Sequence, residues 1–374
     1  MALLQAKTES GLVAGLYSGN PEITVFRGVP YAAPPVGPLR WAPPQPAPAW
    51  EGVYEAYVFK DIPSQAEERH PFYSREFYTC RKPMSEDCLY LNIWTPAQAP
   101  GEGLPVMFFI HGGGFKSGYS HEITFDGDAL ARRGVLLVTI EYRLGSFGYL
   151  AHRELRDEHG RCGNYGLLDQ IAALKWVRRN IAAFGGDPDN VTIFGQSAGA
   201  MSVLNLLTSP LSQGDAARAI MQSAGGYTGR RSSGVSMRTR EEAEELGAEY
   251  LAFLGCGSIQ EARALSPEAI VEKEQVFLEE VRPGLTFAPI VDGWAQPLDC
   301  ADAVKACQYA DIPCMVGTTA NENGAFNCLP PQDPEEFRRS AQERFGEDTE
   351  AFLKLTGFDR DPEAAVRAGG WDDM

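Results

Sequence analysis

Apolar and polar positions change their rhythm along this chain. The first third reads as short strands and turns. Apolar runs at residues 11–17 and 23–27 are followed by a stretch from Pro30 to Pro48, so rich in proline that it must be extended and poor in backbone hydrogen bonds. An irregular loop of charged and aromatic residues, 61–87, leads to a strand at 89–94. Residues 105–110 and 135–142 are continuous apolar runs, as expected of parallel strands covered on both faces, with a helix expected between them over 125–133. Within 166–184, Leu167, Ile171, Leu174, Val177 and Ile181 fall on one helical stripe. Gly185-Gly186 then stops that helix and Asp187-Pro188 turns the chain into the next strand. Residues 219–223 and 314–318 supply two further short strands, 241–280 is mostly helical and acidic, and only short polar helices follow Pro330. Alternating strands and helices predict an α/β, doubly wound and mostly parallel sheet. The acidic helical stretch, around 228–290, is expected to insert as a cap, leaving residues 1–374 as a single domain without repeats.

Two glycine-containing motifs carry the chemistry. In Val191-Thr-Ile-Phe-Gly195-Gln-Ser197-Ala-Gly199, four strand formers enter Gly-x-Ser-x-Gly and a helix-compatible run leaves it. This is the nucleophile elbow of an α/β-hydrolase fold, in which a strained turn lifts the serine hydroxyl to the top of a parallel sheet. Gly195 and Gly199 lie two residues either side of the serine, where a Cβ would clash. The second motif, His111-Gly112-Gly113-Gly114-Phe115, follows the buried run ending at Ile110. Three glycines free backbone N–H groups to face a cavity, which is what a tetrahedral oxyanion needs; one such donor is worth about 3 kcal/mol in a transition state. The loop matches the oxyanion loop of lipases and esterases. Lys116-Ser117 follow it, but the spacing of a phosphate-binding loop is absent. His111 reads as a support of the loop rather than a base.

Composition narrows the partners. A net charge of −17 opposes nucleic acid and anionic membrane surfaces, and no apolar stretch reaches the roughly 20 residues that span a bilayer. The first residues contain no extended apolar segment of a signal peptide. Eight cysteines stand singly at 80, 88, 162, 256, 300, 307, 314 and 328, with neither a CxxC nor a Cys/His metal-ligand spacing. The expectation is reduced thiols, no metal or cofactor, and a cytoplasmic protein; Cys80 and Cys88 are close enough in sequence to bridge in an exported one.

Further segments stand beside the two motifs: Phe26-Arg-Gly-Val-Pro-Tyr31 with Pro34-Pro-Val-Gly-Pro-Leu-Arg-Trp41, Ser85-Glu-Asp-Cys-Leu-Tyr-Leu-Asn-Ile-Trp94, Asn164-Tyr-Gly-Leu-Leu-Asp-Gln170, and Phe184-Gly-Gly-Asp-Pro-Asp-Asn-Val191. With them the chain resembles the type-B carboxylesterase family, which includes cholinesterases and bacterial nitrobenzyl esterases, from about residue 10 to about residue 330. The resemblance implies that Ser197 is the nucleophile and that Gly113, Gly114 and Ala198 form the oxyanion hole. It implies the acid is Glu322, in Gly317-Thr-Thr-Ala-Asn-Glu322; on the residues alone, a solvated loop glutamate fits equally well. It further implies buried ion pairs of Arg27 with Glu86 and of Arg143 with Asp169, and a supporting role for Ser223. Pro283-Gly-Leu-Thr-Phe287 matches the acyl-pocket segment, so that Leu285 and Phe287 offer an uncharged apolar wall to substrate.

The sequence also departs from the family. Ile62-Pro-Ser-Gln65 stands where exported members have the cysteine that pairs with the equivalent of Cys88. Residues 61–87 hold no tryptophan to grip a quaternary ammonium, which argues against choline esters. No histidine occurs after His159, whereas the family's base follows its acid. The last strand and the histidine loop are therefore expected to be missing, the chain to be C-terminally incomplete, and its own activity poor. His121, in the loop after the oxyanion motif, is the one histidine with a prospect of approaching the serine. The expected function is hydrolysis of uncharged short-chain or aryl carboxylic esters through an acyl-enzyme on Ser197. The alternative is a non-catalytic, cholinesterase-like binding or adhesion protein, which would ordinarily have lost the nucleophile. A serine peptidase on the same fold stands third.

Overall fold

A computed structural model describes residues 2–67, 82–224, 237–319 and 333–368. Its centre is an eight-stranded sheet. In spatial order the strands are Cys314–Gly317, Arg218–Gln222, Gly186–Gln196, Leu104–Ile110, Leu136–Ile140, Tyr90–Thr95, Thr24–Pro30 and Leu16–Tyr17. The first five pair in parallel and the last three antiparallel. The central parallel strands are apolar on both faces because both are covered. Phe108, Ile110, Val138 and Ile193 belong to the main core, while Phe109 and Leu137 join Trp94 and Val25 in a second cluster on the other side.

The helical stripe read from the sequence is real. Helix Tyr165–Asn180 and the turn Ile181–Phe184 bury Leu167, Ile171, Leu174, Val177 and Ile181, and Gly185 ends them at φ 88°. The strand that follows begins at Gly186, earlier than expected, with a register shift before Val191. The helix expected over 125–133 is instead two short turns, Ile123–Phe125 and Asp128–Ala131. Asp126 between them leaves the helical region at φ −58° and ψ 126°, which interrupts the helix.

The expected acidic helical segment forms as Arg240–Leu254, Ile259–Arg263 and Pro267–Val276. Tyr250, Leu254, Ile259, Ile270 and Phe277 from this segment enter the same core as the sheet. Asn164 ties the segment beyond it to the long helix: its side chain donates to the carbonyl of Ile290 and to Asp292, and accepts from Ile290 N–H. The helices Pro334–Phe345, Thr349–Leu355 and Pro362–Ala368 are less purely polar than expected, since Phe337, Ala341, Leu353, Phe358, Ala365 and Val366 close a small apolar cluster of their own.

One expected ion pair changes partner. Arg143 pairs with Asp169 at 2.7 Å, both side chains fully buried. Glu86, however, is held by Arg40, whose Nε donates to it at 2.7 Å, and not by Arg27. Arg40 also donates to the carbonyls of Ala262, Arg263 and Leu265 at a helix end, where its planar fork satisfies several acceptors together. Arg27 instead lies over the Phe59 ring, 5.0 Å from its centroid.

Candidate functional site

The site begins where two neighbouring parallel strands end side by side. Gly195 is in register with Ile110, and Gln196 with Gln222. Past these points one strand runs into His111-Gly112-Gly113-Gly114 and the other into Ser197. Ser197 has φ 55° and ψ −125°, a conformation L-residues rarely adopt, and it caps the helix Ala198–Thr208. Its N–H donates to the Gln222 carbonyl at 2.9 Å, so the turn is anchored to the next strand. The flanking glycines are sterically required: a Cβ on Gly195 would stand 2.5 Å from the Gly199 backbone, and one on Gly199 would stand 2.1 Å from the Ile110 carbonyl oxygen.

The glycine loop lies against the serine. A Cβ on Gly112 would be 3.3 Å from Ser197 Cβ. Gly113 and Gly114 adopt φ 104° and 63°, and a Cβ on Gly113 would overlap the Ser117 carbonyl. The Gly113 carbonyl accepts from Lys116 N–H and Ser117 N–H, curling the loop on itself. Among the described residues, no acceptor meets the N–H of Gly113, Gly114 or Ala198. Three unpaired donors, one of them the first N–H of a helix, gather beside a raised serine, which suits them to a developing negative oxygen.

Leu285 reaches this loop, its Cδ2 within 3.6 Å of where a Gly114 Cβ would lie. Arg238 holds the backbone beneath it by donating to the carbonyls of Leu285 and Thr286 at 3.0 Å. Phe287 is elsewhere: buried, it packs edge-on against Tyr250 and stacks on Phe277 in the helical segment. Glu322 lies outside the described residues, as does His70. Ser223, which was expected to support the acid, is buried at φ 54° and donates its N–H to Gly317.

Each of the other four histidines is otherwise engaged or exposed. His111 is buried beneath the loop, its Nδ1 2.8 Å from the Gly112 carbonyl oxygen. Burial pushes its pKa below the ordinary range, against an opposing pull from Glu141. His121 stacks on Phe59 and places Nδ1 3.2 Å from Glu141. His152 accepts from the Glu154 N–H, and His159 is exposed. The sequence reading missed Glu141, a buried carboxylate whose signal was only a charged residue in an apolar strand end, Val138-Thr-Ile-Glu141.

The mostly parallel sheet, strand-to-helix serine turn and facing glycine loop define an α/β-hydrolase. Comparison with known proteins takes the assignment further. A model of the carboxylesterase family matches residues 3–365, and the chain belongs to that family. It is 40% identical over 364 residues to the fumonisin B1 esterase of Sphingopyxis macrogoltabida, a match covering 96% of this chain and 64% of that one. It is 38% identical over 331 residues to the para-nitrobenzyl esterase of Bacillus subtilis (strain 168), covering 85% and 63%. The chain thus spans less than two thirds of the length of these relatives. Among solved structures, a carboxylesterase of Geobacillus stearothermophilus superposes with a TM-score of 0.79 at 34% identity, covering 98% of this chain and 73% of the other.

Proposed function

We propose that this protein is a serine carboxylic-ester hydrolase. Ser197 attacks the ester carbonyl, Gly113, Gly114 and Ala198 donate to the oxyanion, and an acyl-enzyme forms and is then hydrolysed. Glu322 is the acid of the triad in this reading. The observation that carries it is the Ser197 backbone at φ 55°, wedged between the glycine loop and the Gln222 strand end. A non-glycine residue held in so strained a conformation is what a functional site calls for.

The substrate class we propose is uncharged short-chain or aryl esters, since Leu285 presents an apolar side chain to the loop. Two relatives are named as esterases, of para-nitrobenzyl and of fumonisin B1, in keeping with an ester substrate. No helix among the described residues is long and apolar enough to cross a membrane. The charge of −17 and the scattered cysteines, six of them free among the described residues, favour a cytoplasmic protein that binds neither nucleic acid nor anionic membrane.

The test is acylation. Incubation with p-nitrophenyl acetate or butyrate, followed by intact-mass and peptide mass spectrometry, should place one acyl group on Ser197. Turnover and the adduct should both vanish in Ser197→Ala. In the full-length protein, turnover equal to that of Ser197→Ala would overturn the proposal and favour the binding-protein alternative.

A further inference from the structure

Beneath the glycine loop lies a polar cluster that the acylation chemistry does not use. Glu141, at the end of the Leu136–Ile140 strand, is 2% exposed and has neither a lysine nor an arginine beside it among the described ion pairs. Its Oε1 accepts from the Ser120 N–H at 2.9 Å and the Ser120 hydroxyl at 2.7 Å, and His121 Nδ1 stands 3.2 Å away. Its Oε2 lies 3.7 Å from His111 Nε2. Both of these facing atoms are buried and lack a hydrogen-bond partner.

The donor and acceptor roles follow from valence. The Gly112 carbonyl can only accept, so the His111 Nδ1 that touches it at 2.8 Å must carry the hydrogen. Nε2 then faces a carboxyl oxygen. Two acceptors turned toward each other repel, and across 3.7 Å a donor hydrogen, direct or through a bridging water, is what satisfies both. The ring has little freedom to turn away. It stacks on Tyr142 at 4.5 Å, the Tyr142 hydroxyl donates to the His111 carbonyl, and the chain returns so closely that a Cβ on Gly118 would stand 2.7 Å from Nδ1. Gly118 is itself clamped by Gln65, which accepts from its N–H and donates to its carbonyl.

The last link is the peptide plane. The Gly112 carbonyl and the Gly113 N–H belong to one peptide unit, which is trans, so they point in opposite directions. Drawing the carbonyl down onto His111 turns the Gly113 N–H up. We propose that Glu141 is a positioning residue for ester hydrolysis: through its polar contact with His111 Nε2 it holds the ring against the Gly112 carbonyl, fixes the Gly112–Gly113 peptide and so aims an oxyanion donor. The effect on rate rests on the ester-hydrolase reading above; the effect on the His111 hydrogen does not.

Glu141→Gln separates positioning from mere charge. Its carbonyl can still accept from Ser120 while its amide supplies the hydrogen that His111 Nε2 needs. Glu141→Leu removes both functions at similar volume. On p-nitrophenyl acetate, Glu141→Leu should lower kcat about 10- to 100-fold with KM within about threefold, as expected of a misaimed donor that acts in the transition state. Glu141→Gln should stay within about threefold of the parent in both. The spectroscopic readout is a nitrogen–proton correlation of protein labelled with ¹⁵N-histidine, the His111 signal being assigned by its loss in His111→Gln. The His111 Nδ1–H should be slow to exchange in the parent and in Glu141→Gln and exchange markedly faster in Glu141→Leu, where nothing meets Nε2 and the ring is held against the Gly112 carbonyl less firmly. If Glu141→Leu does not fold, Glu141→Asp takes its place, because the shorter side chain withdraws the carboxylate from His111; it should lower kcat at least fivefold. A folded Leu or Asp variant with unchanged kcat and Nδ1–H signal would overturn the proposal, as would a Gln variant as impaired as Leu. Should the full-length protein show no turnover above Ser197→Ala, the esterase reading fails separately, and the Nδ1–H signal alone decides whether Glu141 orients His111.

Discussion

Ser197 stores strain that the flanking glycines and strands impose. Holding a non-glycine residue in so sparsely populated a backbone region costs on the order of 1–3 kcal/mol. Ser197→Gly should therefore be more stable than the parent by about 1 kcal/mol in urea unfolding while losing all acylation. A variant of equal or lower stability would show that the conformation costs nothing. The same serine hydroxyl, fully protonated at neutral pH, needs a base. With no histidine after position 159 and His111 and His121 engaged by the Gly112 carbonyl and Glu141, residues 1–374 alone should turn over p-nitrophenyl butyrate slowly. Loss of the histidine in a comparable triad costs about 10⁶ in turnover and leaves about 10³–10⁴ over water from the oxyanion hole and binding. Rates typical of esterases that disappear in His121→Ala would identify His121 as the base instead.

Among the elements, the Pro267–Val276 helix is fastened to the core by a buried acid. Glu274 Oε2 accepts from both the N–H and the hydroxyl of Ser146, while Gly145 is so close that a Cβ would overlap Glu274 Oε1. Gly145 N–H in turn donates to the Phe115 carbonyl in the glycine loop, so this contact lies one residue from the site. Burial raises the Glu274 pKa from 4.5 to about 7, opposed by the Ser146 hydrogen bonds and, weakly, by Lys116; the Tyr250 hydroxyl is the other titratable neighbour. Because the folded-state value is the raised one, the contribution to stability is complete below about pH 4.5 and is lost as pH rises through about 7. The loss amounts to about 3 kcal/mol. Glu274→Gln keeps an acceptor for Ser146 and removes the ionisation. Its stability relative to the parent should rise by about 2–3 kcal/mol between pH 5 and pH 8 in urea titrations. A constant difference would show that Glu274 ionises at its ordinary pH in the folded protein.

At the scale of the whole molecule, the sheet is protected unevenly. The strand Cys314–Gly317 pairs on one side with Arg218–Gln222 and, among the described residues, has no strand on the other, leaving Met315 and Val316 67% and 66% exposed. An apolar edge of this kind pairs readily with other chains. Met315→Lys together with Val316→Lys should reduce concentration-dependent association in sedimentation velocity without shifting the urea midpoint by more than about 0.5 kcal/mol; unchanged association would place the sticky surface elsewhere. The thiols offer a second check. Cys88, Cys162, Cys256, Cys300, Cys307 and Cys314 are free, and burial pushes Cys162 and Cys300 up to about 12. A native thiol assay should modify the exposed Cys307 and Cys314 first, and all eight cysteines should react once the protein is denatured without reductant. Fewer than seven reactive thiols would reveal a disulfide.

What the sequence determined by itself is what short-range physics controls. Apolar runs at strand period or helix period settle which segments pair and pack, so the parallel strands and the Tyr165–Asn180 helix were legible from residue type alone. The elbow and the glycine loop were legible for the same reason. Gly195 and Gly113 answer to clashes with backbone close by in sequence, at Gly199 and Ser117, whereas Gly199 answers to Ile110 on the neighbouring strand. Only the tertiary structure decided which side chains meet across long stretches of chain. Arg40 rather than Arg27 pairs with Glu86 because a helix end 222 residues away supplies further carbonyls for its fork. Phe287 packs against Tyr250 and Phe277 from the helical segment, while Leu285, two residues earlier, lies against the glycine loop. Glu141 was hidden for a further reason. A charged residue after an apolar strand looks like a strand end reaching solvent, and only when the chain folds back over it with Ser120, His121 and His111 does it become a buried acid beneath the site.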